Sequence, residues 1–109
     1  MIKTVEVRSF EEACVALKDA HEGGYPIILQ NSKLLHKFGG FMYTKHIMEE
    51  AIDMYPDVDA SIIYDADSDA VVAITAMTGG FKKVRFSGNK TIYKKLCDIA
   101  LQTGAEILD

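Results

Sequence analysis

The chain has 109 residues, about half of them hydrophobic, and a formal net charge of −4. That is enough for one packed domain, residues 1–109, with a core of its own. The acidic balance and scattered basic residues argue against a nucleic-acid partner, and no apolar run approaches a membrane span or a signal peptide.

In chain order, residues 4–7 alternate and are β-branched, which predicts a first strand. Ser9 followed by Glu12 forms a capping box for a helix whose inner face carries Phe10, Ala13, Cys14, Leu17 and His21. Gly23-Gly24 ends that helix, and residues 26–30 form a second strand. Residues 31–38 allow a short helical turn, broken at Gly39-Gly40. A helix over 44–55 follows, with Ile47, Met48, Ala51, Ile52 and Tyr55 as its stripe and Pro56 as its stop.

Residues 60–64 are the third strand. A helix over 69–77 is apolar all round, which predicts burial on more than one side and a subunit interface. Strand four covers 83–86, a helix with Ile92, Tyr93, Leu96, Cys97 and Ala100 on its inner face covers 90–102, and residues 105–108 are a fifth strand. Strict β-α alternation predicts an α/β fold with a parallel sheet and right-handed crossovers. Both a half (β/α)8 barrel and a flavodoxin-like three-layer arrangement satisfy it. Cys14 and Cys97 lie far apart and form no metal or redox motif; they read as core residues of a cytoplasmic protein.

In this topology the carboxyl ends of the strands share one rim, where polar-ligand sites form. The candidates there are Glu6, with Arg8 and Ser9 beyond it; Gln30, Asn31 and Ser32; Asp65 and Asp67; and Ser87, Gly88 and Asn89. Helix capping accounts for about half of such residues, Asp67 or Ser68 reading as the cap of the next helix. It accounts poorly for Gln30 and Asp65, which precede the expected caps. Asp65 is the candidate acid/base. The turn at Ser87-Gly88-Asn89-Lys90 opens a helix and can hold an anion. His46 and Glu50 have metal-friendly helical spacing but read as a solvated face.

Several of these stretches together resemble a known family. They are Pro26-Ile27-Ile28-Leu29-Gln30-Asn31-Ser32, Lys37-Phe38-Gly39-Gly40-Phe41, Ile62-Ile63-Tyr64-Asp65, and Gly80-Phe81-Lys82-Lys83-Val84-Arg85-Phe86-Ser87-Gly88. In order and spacing they are similar to the amino-terminal half of class II, zinc-dependent fructose-bisphosphate aldolases. The resemblance implies a (β/α)8-barrel relationship and sugar-phosphate chemistry. It matches Asp65 to a proton-transferring aspartate, Ser32 to a substrate-contacting serine, and Glu6 to the place of a substrate-binding asparagine. Ala66 stands where a zinc-ligand histidine is implied, and the other zinc ligands and phosphate loops fall in the family's second half.

The resulting expectation is a non-catalytic, aldolase-like protein, with no metal site and no cofactor, binding a small polar or phosphorylated metabolite at Glu6, Gln30, Ser32, Asp67, Ser87, Gly88 and Asn89. Open strand edges in a half-barrel further imply a homo-oligomer, a dimer. The alternatives are a metal-independent lyase using Asp65 with Asp67 or Glu6, and a protein-interaction module.

Overall fold

A computed structural model describes residues 2–32 and 40–109, except for the Phe41 side chain. The expected turn over 31–38 lies mostly outside these residues, as does the Lys37-Phe38-Gly39 part of the aldolase-like motif. The described elements are β1 (Lys3–Val7), α1 (Phe10–Gly23), β2 (Ile27–Asn31), α2 (Phe41–Asp53), β3 (Ala60–Asp65), α3 (Ala70–Thr78), β4 (Lys83–Arg85), α4 (Lys90–Thr103) and β5 (Glu106–Leu108). Every strand and helix expected outside 31–38 is present, with ends displaced by at most three residues, the least determined feature of any helix or strand.

The strands are parallel and follow the order β1-β2-β3-β4-β5. A flavodoxin-like sheet would place β1 between β2 and β3. The sequential order is instead consistent with a segment of a (β/α) barrel. The chain forms two compact units, residues 1–62 and 63–109, with the boundary inside β3.

In the first unit β1 and β2 pair in parallel from Lys3↔Ile27 to Val7↔Asn31. Val7, Ile27 and Leu29 are buried against Ala13, Ala16, Leu17 and Ala20 of α1 and Ile47, Met48 and Ala51 of α2. Each large aliphatic side chain buried there contributes about 1.5–3 kcal/mol. Alternation turns Thr4, Glu6, Ile28 and Gln30 to the opposite face. His21, expected on the inner stripe of α1, is exposed, and Ala16 and Ala20 take the buried positions beside Leu17.

The capping box of α1 is only half formed. Ser9 Oγ accepts the Glu12 N–H at 3.2 Å, but the Glu12 carboxylate takes the Arg8 N–H at 2.7 Å and the Arg8 guanidinium at 2.8 Å. Arg8 offers a charged partner that the Ser9 N–H cannot match. Helix α2 starts at Phe41, earlier than its apolar stripe indicates. Gly40, at φ 73°, turns the chain into it, and its carbonyl accepts from Thr44 Oγ1 at 2.8 Å.

In the second unit Tyr64, Val84 and Ile107 are in register across β3, β4 and β5, and all three are buried. They form the sheet side of a core completed by Ala73, Ala76 and Met77 of α3 and Leu96 and Ala100 of α4. The ring centroids of Tyr64 and Phe81 are 4.8 Å apart at a tilt of 47°. Helix α3 is apolar all round, but its burial is one-sided: Val71 is 72% exposed. The inner face of α4 is also narrower than expected, since Ile92 is exposed.

Candidate functional site

At the carboxyl edge of the second unit, the loops after β3 and β4 are tied together. Ala66 N–H donates to the Arg85 carbonyl at 2.9 Å, and Ser87 N–H donates to the Asp67 carbonyl at 2.8 Å. Within the β3–α3 loop, Asp65 Oδ1 accepts the Asp67 N–H at 2.9 Å. Asp67 has φ +54°, a left-handed conformation that Asp tolerates better than most residues because its short side chain bonds locally. The expected cap is therefore displaced. Asp69, rather than Asp67 or Ser68, caps α3, its side chain accepting the Val72 N–H at 3.1 Å.

This arrangement separates the roles of the carboxylates. Asp69 serves the helix, and Asp65 shapes its own loop from the last position of β3. Tyr64, immediately before Asp65, is 1% exposed. Burial, reinforced by the neighbouring Asp65 charge, pushes its phenol up to about 12.

After β4, Ser87, Gly88 and Asn89 are exposed. A Cβ on Gly88 would lie 2.5 Å from Phe86 Cζ, so only glycine fits there without moving a buried ring. Asn89 Oδ1 accepts the N–H groups of Thr91 at 2.7 Å and Ile92 at 3.3 Å, so the start of α4 is capped by its own chain. The sequence pattern singles out this turn as an anion cradle and passes over Arg85. Arg85 Nε is buried without a hydrogen-bond partner. The signal available in the sequence is the alternation in Lys83-Val84-Arg85, which turns Arg85 to the face opposite the buried Val84.

In the first unit, Glu6 and Gln30 are in register at the carboxyl ends of β1 and β2. Glu6 and Ser32 also line a groove of about 660 Å3 beside α1, together with Lys3, Arg8, Val15 and Tyr25. Ser32 is buried, and its N–H donates to the Val7 carbonyl at 3.0 Å. The Arg8 guanidinium holds the Glu12 carboxyl below the usual range through the hydrogen bond between them, and Arg8 is raised in turn.

The aldolase resemblance implies zinc, and the residues described here do not fit it. Ala66 follows Asp65 where the histidine ligand is implied, and it is fully buried. Among the described residues no three His, Cys, Asp or Glu side chains gather to hold a metal ion. His46 and Glu50 form an exposed 3.3 Å pair on α2, the expected solvated face. Among the described residues, no helix is long and apolar enough to cross a membrane.

No protein-family model matches the chain. It is similar to curated fructose-bisphosphate aldolases. Identity to the plasmid-encoded enzyme of Cupriavidus necator is 22% over 120 residues, covering 97% of this chain and 35% of that protein. Identity to the Xanthobacter flavus enzyme is 25% over 83 residues, covering 76% of this chain and 23% of the relative. The class 2 enzyme of Synechocystis is 24% identical over 88 residues, covering 81% and 24%. The chain thus spans about a third or less of the length of these relatives.

Proposed function

We propose that this chain is an aldolase-like binding protein that takes a small polar or phosphorylated metabolite at the carboxyl ends of its strands. The binding residues are Asp65, Asp67, Ser87, Gly88 and Asn89 in the second unit; Glu6, Gln30 and Ser32 form a separate polar group in the first. The observation that carries the reading is the pair of loops after β3 and β4, held together by backbone hydrogen bonds around Asp65. Preorganised polar groups at strand ends are what a small polar ligand needs. Asp65 contacts the ligand, and Ala66 beside it offers no ligand atom for zinc.

Calorimetric titration with dihydroxyacetone phosphate in the presence of a chelator tests this. The expected result is saturable binding, weakened roughly tenfold by Asp65→Asn, the cost of about one hydrogen bond to a charged group. Asparagine keeps the acceptor that the loop uses, so a loss of affinity would not reflect a collapsed turn. Binding seen only with added zinc would return metal chemistry to the site.

The reading includes a cytoplasmic homodimer. Its support is the exposure of the large apolar side chains Val71 and Leu101. Cys14 and Cys97 are free thiols, which suits a reducing compartment. Light scattering on a sizing column is expected to give twice the monomer mass with or without zinc. A monomer at all concentrations would remove the dimer from the account.

A further inference from the structure

Arg85 ends β4 on the sheet face opposite Val84. The residue before it, Val84, is fully buried in one row with Tyr64 and Ile107. Alternation along the strand puts Lys83 and Arg85 on the opposite face. There the register sets Arg85 beside Asp65 of β3, and Lys83 beside Glu106 of β5. Residues of opposite charge are thus register partners in both strand pairs.

Several donors near Arg85 are already used. Asp67 N–H goes to Asp65, Ser87 N–H goes to the Asp67 carbonyl, and the first N–H groups of α4 go to Asn89. The Arg85 carbonyl accepts from Ala66, but its Nε is buried and has no acceptor. A guanidinium edge with a desolvated, unpaired Nε is poorly arranged for stability and well arranged for a planar or tetrahedral oxyanion, which it grips through two parallel N–H bonds.

We propose that Arg85 is the anion-anchoring residue of this rim, holding the phosphate or carboxylate group of a small metabolite. This rests on the reading of the rim as a metabolite site. It replaces the Ser87–Lys90 turn as the anion subsite, because that turn's helix is already capped. It also defines the ligand class: an oxyanion for Arg85, with a polar group alongside for Asp65.

The test is calorimetric titration of the wild type, Arg85→Met, Arg85→Lys and Asp65→Asn with dihydroxyacetone phosphate, malonate and uncharged dihydroxyacetone, with thermal melts of each variant. Arg85→Met is expected to bind the anionic ligand roughly ten- to a hundredfold more weakly, as the loss of a charge-assisted pair implies. Its affinity for dihydroxyacetone is expected not to change. Arg85→Lys recovers only part, because an ammonium lacks the fork. Removing an unpaired buried donor leaves the melting temperature of Arg85→Met at or above that of wild type, whereas a purely structural arginine would lower it. Dependence on Arg85 with malonate rather than dihydroxyacetone phosphate supports the proposal with a carboxylate ligand. If Arg85→Met binds anions as tightly as wild type while Asp65→Asn does not, the rim reading stands and the role of Arg85 is overturned. Absence of binding to the wild type by any of the three overturns both.

Discussion

Asp65 Oδ1 accepts the backbone N–H of Asp67 at 2.9 Å, and this bond closes a turn in which Asp67 holds a left-handed conformation. Asp65 thus shapes the backbone of the loop in which it sits, before any ligand is considered. The same loop passes its order to the neighbouring one through the Asp67 carbonyl, which accepts from Ser87 N–H.

The left-handed position makes the loop sensitive to branching at Cβ. Asp67→Val is expected to lose about 1–2 kcal/mol in urea denaturation, the usual cost of that conformation for an L-residue. Asp67→Gly and Asp67→Asn adopt it readily and stay within about 0.5 kcal/mol of wild type. Equal stability of the valine and glycine variants would contradict the assigned backbone.

Gly88 is set by contact, since its φ is not positive. In Gly88→Ala the new methyl meets the Phe86 ring, which is 1% exposed and has little room to withdraw. A loss of about 1–3 kcal/mol is expected, the range for forcing extra volume into a packed site. An unchanged urea midpoint would mean that the ring moves freely.

Tyr64 imposes a pH dependence at the alkaline end. Its phenol titrates at about 12 in the fold against 10.0 in the reference state, burial being the larger cause and the Asp65 charge the smaller. The folded state therefore keeps its proton where the unfolded chain has released it. The associated stability is fully present below pH 10 and is lost as pH rises towards about 12. Tyr64→Phe is expected to flatten that decline in urea midpoints measured across the interval. A decline of the same slope in the phenylalanine variant would assign it to other groups.

Much of the fold is legible in the chain because local signals agree. Alternation marks β1 and Gly24 ends α1 at φ 68°, while Asn89 opens α4 with its own side chain. Choosing between a barrel segment and a flavodoxin-like sheet required strand order, which β-α alternation alone does not determine. The helix cap at Asp69 was misplaced because Asp67, Ser68 and Asp69 are all competent caps, and the Asp65–Asp67 turn decides among them. Arg85 carries no signal of its own in the sequence, where it is one charged residue at the end of a short strand. Only the register with Asp65 and the buried Nε distinguish it. The exposure of Val71 on an all-apolar helix could not be read from composition either.

The most direct test of the metabolite-binding account is to map amide shifts in a nitrogen-15 correlation spectrum while titrating dihydroxyacetone phosphate without metal. The account predicts shifts concentrated at Asp65, Ala66, Asp67 and Ser87 to Lys90. Shifts confined to the opposite ends of the strands, near His21, Gly24 and Asp57, or no shifts at saturating ligand, would contradict it.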